Sequence, residues 1–134
     1  MENKTITDSI HQIAAADDFH IAPFREDGKT FGTPTSIWSL RVGNDLFVRG
    51  YNGTDSRWYQ SAVKQKGGKI ESIGKTFQVD FEPISGKIND AIDEAYREKY
   101  KVSPYLPPMV SERTRAATVK VILKNEGANI GLNY

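Results

Sequence analysis

The chain of 134 residues contains no cysteine. This absence excludes disulfide scaffolds, thiol catalysis, iron–sulfur clusters and zinc sites built from thiolates. No apolar run approaches the ~18 residues of a membrane-spanning helix, and the first residues carry no apolar signal core. We therefore expect no membrane association and a location in the cytoplasm.

An excess of one charge is also missing. The chain has 18 Lys and Arg against 17 Asp and Glu, so its formal net charge is +1. Proteins that bind along nucleic-acid phosphates are clearly basic as a rule, so the charge argues against a general nucleic-acid binder. The two histidines, His11 and His20, have no partner at the spacing of metal ligands, and we expect no metal site.

Familiar nucleotide-binding motifs are absent as well. No Gly-x-Gly-x-x-Gly occurs, which removes the signature of a dinucleotide-binding Rossmann fold. The tetrapeptide Gly-Lys-Thr-Phe occurs twice, at 28–31 and 74–77. The second copy misses the phosphate-loop spacing by one residue and precedes a predicted strand, where that motif precedes a helix. No nucleophile or acid–base set stands out either, so the sequence identifies no catalytic residue.

The segments that are present predict an antiparallel sheet. A hairpin joins residues 35–42 to 46–51 through a Gly-Asn turn, and a second joins 69–73 to 76–83. In the latter strand Phe77, Val79 and Phe81 alternate with polar residues, the period of a half-buried strand. Residues 19–24 and 118–124 complete six strands.

Three helices flank these strands. The apolar spacing predicts helices within 1–18 from Thr7, from residue 54 or 55 to Gly67, and from a Ser85 cap to residue 100. On the last helix, Asp93 and Arg97 are spaced for an exposed ion pair. We expect residues 125–134 to be a flexible tail. The predicted fold is α+β, a six-stranded antiparallel split β-barrel with flanking helices, forming one domain over 1–134.

The stretch from 49 to 59 has the composition of a binding site. A strand ends there, a Gly/Asn loop follows, and a helix begins, and such helix starts bind phosphate or carboxylate through unpaired N–H groups. Arg49 and Arg57 lie within a segment, 49–69, that carries an excess of four positive charges. Trp58 and Tyr59 add flat apolar surface, although they share a helical stripe with Ala62 and also fit a role in the core.

Several motifs resemble a family of small bacterial proteins known as a domain of unknown function, over about residues 19–123. These motifs are Ile-Trp-Ser-Leu-Arg-Val-Gly from Ile37, Leu-Phe-Val-Arg from Leu46, Tyr-Asn-Gly-Thr-Asp-Ser-Arg-Trp-Tyr-Gln from Tyr51, Ala-Val-Lys-Gln-Lys from Ala62, Phe-Glu-Pro-Ile from Phe81, Ile-Asp-Glu-Ala-Tyr-Arg-Glu-Lys-Tyr from Ile92, Ser-Pro-Tyr-Leu-Pro-Pro-Met from Ser103 and Arg-Ala-Ala-Thr-Val-Lys-Val from Arg115.

The layout also resembles, more distantly, the deazaflavin-dependent nitroreductases and the pyridoxamine phosphate oxidase group. In those nitroreductases a Gly-Arg-Lys-Ser-Gly turn and a loop before a Trp-Tyr helix surround the cofactor. Here residues 28–32 take the place of the turn, with Lys29-Thr30 where the Arg-Lys pair stands, and residues 51–59 take the place of the loop. The resemblance implies a flavin-binding split barrel that forms homodimers and binds FMN or a deazaflavin, as a reductase if it is an enzyme.

Nine residues are therefore candidates for cofactor contacts. The residues expected to bind the cofactor phosphate or to pack against its ring system are Lys29, Thr30, Arg49, Tyr51, Asn52, Thr54, Arg57, Trp58 and Tyr59. Two other functions remain open: a non-catalytic module that binds a small ligand or a protein, and a single-strand nucleic-acid binder that stacks bases on Tyr51 and Trp58.

Overall fold

A computed structural model describes residues 4–129 of the chain. The helices are α1 (Lys4–Ala15), α2 (Arg57–Gln65), α3 (Ile88–Lys99), α4 (Leu106–Met109) and α5 (Glu112–Arg115). The strands are β1 (His20–Pro23), β2 (Thr35–Ser36), β3 (Ser39–Val42), β4 (Asp45–Arg49), β5 (Gly67–Ser72), β6 (Lys75–Ile84), β7 (Thr118–Leu123) and β8 (Ala128–Asn129). No helix in this part of the chain has the length and apolarity needed to cross a membrane.

All strands belong to one antiparallel sheet that curls into a half-barrel. Its order is β2-β1-β5-β6-β7-β4-β3, and β8 pairs with the start of β6. Within residues 4–129 no pairing joins the edge strands β2 and β3, so the barrel is not closed. The α+β antiparallel class is confirmed, whereas the predicted number of six strands is wrong. The predicted strand 35–42 divides into β2 and β3, and β8 was not predicted. β2 and β8 are only two residues long and exposed, so they carry no hydrophobic period.

Both predicted hairpins are confirmed. β3 pairs with β4 across the Gly43-Asn44 turn, and β5 pairs with β6. Phe77, Val79 and Phe81 are buried along β6, while the residues between them are exposed. β8 lies within the predicted tail and pairs with β6, so residues 128–129 are not a free end, and residues 130–134 lie outside the described part.

Several helix boundaries differ from the prediction, among them the start of α2, which is Arg57 and not residue 54 or 55. α1 spans Lys4–Ala15 and so includes residues ahead of the predicted start at Thr7, and α3 follows Lys87, with no side-chain cap from Ser85. α2 ends at Gln65, the capping residue Lys66 has a left-handed φ of 62°, and Gly67 already belongs to β5. Gly68 allows β5 to approach β1 closely and does not end α2. A Cβ at this position would lie 2.6 Å from the Ala22 carbonyl oxygen on β1.

The core has two parts, one on each side of β4. The main cluster contains Leu46 and Val48 with the inward residues of β5, β6 and β7, and α1 contributes Ile13. The second cluster packs Phe47 of β4 against Ile92 and the other inward residues of α3. β4 is therefore buried on both faces, which places Arg49, at its end, in the interior.

The buried face of α3 does not follow its apolar residues alone. Ile88 and Ala91 are exposed, whereas the polar Asn89 and Asp93 are buried beside Ile92. The predicted pair of Asp93 with Arg97 on the wet face is wrong: Arg97 pairs with Glu94 instead. Asp93 and Asn89 are buried because the guanidinium of Arg49, at the end of β4, is itself buried and needs acceptors from α3.

Candidate functional site

A tight loop connects β4 to α2 and brings the predicted site segment to the surface. The Gly53 N–H donates to the Gly50 carbonyl at 2.9 Å, and residues 53–55 form a single 3-10 turn. Gly53 has a φ of +64°, and a Cβ at this position would lie 2.5 Å from Cγ of Arg113. Only glycine fits there without displacing α5. The glycine therefore allows the loop to pack closely against α5.

The loop forms one wall of a cavity of about 730 Å³. This volume lies within the range of ligand sites, ~300–1,000 Å³. The residues that line it come from three segments and from β4: Thr35, Ser36, Ile37, Trp38, Arg49, Tyr51, Asn52, Asp55, Ser56, Arg57, Trp58, Tyr105 and Met109. Five of the nine predicted residues are thus brought together: Arg49, Tyr51, Asn52, Arg57 and Trp58.

Aromatic rings supply much of the cavity surface. Trp38 and Trp58 are the only tryptophans of the chain, and both line the cavity. At the rim, the rings of Tyr51 and Tyr105 meet edge to face with centroids 6.4 Å apart and are 44% and 61% exposed. A planar ligand would therefore meet an aromatic ring on several sides.

A second aromatic layer supports Trp38 from behind. Its indole stacks on Tyr100 at 3.9 Å between centroids with an interplanar angle of 4° and lies 6.4 Å from the Tyr96 ring. Burial raises the phenol pKa of both tyrosines, and in Tyr100 the nearby Asp17 charge adds to the rise. Both phenols are therefore neutral at ordinary pH, which keeps this layer free of charge.

Arg49 lies in the inner wall, and its guanidinium is committed to the protein. The side chain is 1% exposed. Nε donates to Thr118 Oγ1, Nη1 to Asp93 Oδ1 and the Met109 carbonyl, and Nη2 to both oxygens of Asn89. All five N–H groups thus have acceptors in the chain, and a ligand phosphate would have to displace one of them. The geometry gives Arg49 a structural part, and its predicted phosphate contact stays a prediction.

The beginning of α2 offers uncommitted donors. No side chain caps this helix, because Ser56 Oγ accepts from the Asn52 N–H instead. The first N–H groups of an α-helix have no acceptor within the helix. Arg57 is exposed in the first turn and makes no ion pair within residues 4–129. The neighbouring Asp55 also lines the cavity, so the mouth presents one cation and one carboxylate.

Lys29 and Thr30 do not line this cavity. Their N–H groups both donate to Asp27 Oδ1 at 2.9 Å, so the turn closes on its own carboxylate. These two hydrogen bonds, the first of them from Lys29, lower the pKa of Asp27. The turn lies beside the end of α2, since the Cβ position of Gly28 is 3.8 Å from Gln65 Oε1. It therefore borders the end of α2 opposite to the cavity.

Thr54 and Tyr59 also lie outside the cavity lining. The Thr54 carbonyl accepts from Gln60 Nε2, and the Tyr59 hydroxyl donates to the Ala116 carbonyl at 3.4 Å. Tyr59 and Trp58 both pack against the main core, as the helical stripe indicated, and Trp58 also reaches the cavity. The contacts of all nine residues with a ligand stay predictions.

Sequence reasoning missed two aromatic residues of the site. Trp38 lies within the predicted strand 35–42 and Tyr105 within the motif that starts at Ser103, and neither was among the nine candidates. An exposed tyrosine between prolines in a loop is a signal that could have pointed to a binding surface.

Within residues 4–129 no group of three or more His, Asp or Glu side chains could hold a metal ion.

Fold and cavity together define a half-barrel α+β protein with an open, aromatic-lined pocket beside a helix start. The chain belongs to the family described as "Uncharacterized protein conserved in bacteria (DUF2255)", which matches residues 9–121. The resemblance to a domain of unknown function is thereby confirmed. A comparison with curated proteins gives no match.

Proposed function

We propose that this protein binds a flavin-type cofactor, FMN or a deazaflavin, in the cavity between Trp38 and Trp58. The observation that supports this most strongly is the combination of aromatic walls with an uncapped helix start in one cavity of about 730 Å³. A flavin has the matching parts, a planar ring system and an anionic tail. The distant resemblance to the flavin-binding split barrels suggests the same ligand class.

The aromatic side of the cavity suits the ring. Trp38 is held in place by its stack on Tyr100, so its face is rigid before any ligand arrives. Rigid walls lower the ordering cost of binding. Trp58 and Tyr51 then face the remaining space, and Ile37 and Met109 keep part of the lining apolar.

The polar side suits a small number of negative charges. Arg57 supplies a free guanidinium, and the α2 start supplies N–H groups at the positive end of the helix dipole. The carboxylate of Asp55 disfavours a second negative charge of the ligand beside the one bound at Arg57, but it accepts hydrogen bonds from ligand hydroxyl groups. Arg49 lies behind this surface without a free N–H group, so its role is to hold the wall. The residues present therefore fit a flavin with one phosphate at Arg57.

When bound, a flavin supplies hydride or electron transfer, and the protein supplies orientation and charge. Trp38 and Trp58 would orient the ring, and Arg57 would hold the tail. No acid–base pair in the cavity is needed for that division of work. A reductase is thus the enzymatic form of the proposal, and a module that binds without turnover is its non-catalytic form.

Tryptophan fluorescence offers a direct test, because both tryptophans of the chain line the cavity. Titration with FMN, riboflavin and a deazaflavin should quench the emission in a saturable way. Arg57→Gln should weaken FMN binding about tenfold to a hundredfold, the value of a charge-assisted hydrogen bond. Riboflavin, which has no phosphate, should bind this variant as it binds the wild type.

The matched control is Lys87→Gln, which removes the same charge from a residue that lines no described cavity. It should leave all three affinities unchanged. Absence of saturable quenching by every flavin, with the protein folded by circular dichroism, would refute the proposal. Equal loss of FMN and riboflavin in Arg57→Gln would instead remove Arg57 from the phosphate contact.

One observation favours a second candidate, the single-strand nucleic-acid binder. Tyr51 and Tyr105 are exposed at the rim, and the guanidinium of Arg113 lies 5.5 Å from the Tyr51 ring centroid. Exposed aromatic rings beside arginine stack bases in single-strand binders. Salt-dependent binding of a short oligonucleotide that is lost in Tyr51→Ala would favour this function over the flavin.

A further inference from the structure

A second cavity adjoins the first along α2. It has a volume of about 420 Å³, and the α2 residues in its wall are Arg57, Gln60, Ser61, Lys64 and Gln65. These positions follow the spacing of a single helix face. The first cavity ends at the same Arg57, because this side chain lines both cavities. The two spaces therefore meet at Arg57, an exposed arginine that makes no ion pair in the described part of the chain.

The two cavities differ in chemistry. The first has aromatic walls, whereas the second has hydroxyl, amide and charged groups with Phe24 as its aromatic member. Lys64 adds a second cation there. Within residues 4–129 its one ion pair is with Glu26 at 3.7 Å, and both side chains are largely exposed. Such a pair contributes little, so a ligand anion can replace Glu26 at small cost.

The order of these groups along α2 matches an elongated molecule. The aromatic rings of the first cavity lie around the start of α2, Arg57 lies in its first turn, and Lys64 lies two turns further on the face that lines the second cavity. The turn that carries Lys29 borders the far end, beside Gln65. A ligand that lay along this path would meet ring, cation, polar groups and cation in sequence.

We propose that the two cavities form one extended site, which takes a flavin whose anionic tail continues past its first phosphate. This inference rests on the proposed function and adds the second cavity to it. Arg57 holds the first phosphate where the cavities meet. Lys64, Ser61 and Gln65 receive the remainder of the tail. The site then distinguishes cofactors by tail length, with FAD as a convenient probe of the long form and FMN of the short form.

Two variants in the second cavity test this inference. Ser61→Trp fills the space, and Lys64→Gln replaces the cation with a neutral, slightly shorter polar side chain. In wild-type protein FAD should bind more tightly than FMN. Ser61→Trp should weaken FAD binding by about tenfold or more through steric exclusion. Lys64→Gln should weaken it by about threefold to tenfold, and FMN should bind both variants within twofold of the wild type.

Calorimetric affinities for FAD, FMN and riboflavin would be measured on folded protein, with Lys87→Gln as the charge control. Equal affinities for FAD and FMN in wild-type protein, unchanged in both variants, would overturn the extended site and leave the proposed function intact. Binding of no flavin at all would overturn the proposed function itself. Should Ser61→Trp fail to fold, the Lys64→Gln result decides alone.

Discussion

Asp93 joins two arginines that come from different parts of the chain. Its Oδ1 accepts from Arg49 Nη1 at 2.5 Å, and its Oδ2 accepts from Arg115 Nη1 at 2.6 Å. Arg115 also reaches Asp90 at 3.0 Å. This network ties β4, α3 and α5 together directly behind the cavity, so the inner wall of the proposed site is fixed before a ligand binds.

Asp93→Ala should lower the free energy of unfolding by about 3–5 kcal/mol, because it leaves a buried guanidinium without its carboxylate. Urea denaturation measures this change. The matched control is Glu94→Ala, whose partner Arg97 is exposed, and it should cost less than about 1 kcal/mol. Similar losses in the two variants would contradict the structural role of Asp93.

Arg49→Lys should destabilise the protein despite keeping the charge. A lysine ammonium has three N–H donors on a single atom and cannot reproduce the fork that meets acceptors on α3, α4 and β7. We expect a loss of about 2 kcal/mol or more in urea denaturation. Arg57→Lys, at an exposed position without an ion pair, serves as the control and should change stability by less than ~0.5 kcal/mol.

Gly53→Ala should cost more than Gly74→Ala. Both glycines have positive φ, 64° and 71°, so both substitutions carry the left-handed strain of about 1–2 kcal/mol. A Cβ at Gly53 also meets Arg113 at 2.5 Å, whereas at Gly74 nothing lies within 4 Å. The difference between their unfolding free energies isolates the packing of the loop on α5. Equal losses would mean that Arg113 moves aside without cost.

Stability should fall as the pH rises above about 10, the ordinary pKa of tyrosine. Burial raises the pKa of Tyr96 and Tyr100 in the folded protein. Above pH 10 the unfolded chain releases protons that the folded chain retains, so the free energy of unfolding decreases. Urea denaturation at pH 8 and pH 11 measures the effect, and Tyr100→Phe should reduce it. A slope unchanged by this substitution would contradict the burial of the phenol.

Local sequence signals predicted the parts of the fold that depend on neighbouring residues. The Gly43-Asn44 turn and the alternation of Phe77, Val79 and Phe81 led to the correct hairpins, because turn chemistry and a period of two act within a few residues. The number of strands was wrong, since β2 and β8 are exposed pairs of residues whose place in the sheet depends on distant partners.

The site was predicted in part for the same reason. The loop and helix start around Asn52 and Arg57 follow from local composition, and the structure places them at a cavity. The burial of Arg49 could not be predicted, because its acceptors lie 40 or more residues away along the chain. Asp93 was assigned to the solvent-exposed face of α3, because helical spacing alone cannot show which polar residue contacts a buried partner.

The central claim is that a flavin binds between Trp38 and Trp58, and the two indole N–H resonances test it most directly. With only two tryptophans in the chain, a ¹⁵N–¹H spectrum contains two indole signals, and both come from residues that line the cavity. We predict that saturating FMN shifts both indole signals and the backbone amide of Arg57, with the Lys87 amide unmoved. Both indole signals unmoved at saturating FMN would contradict the account.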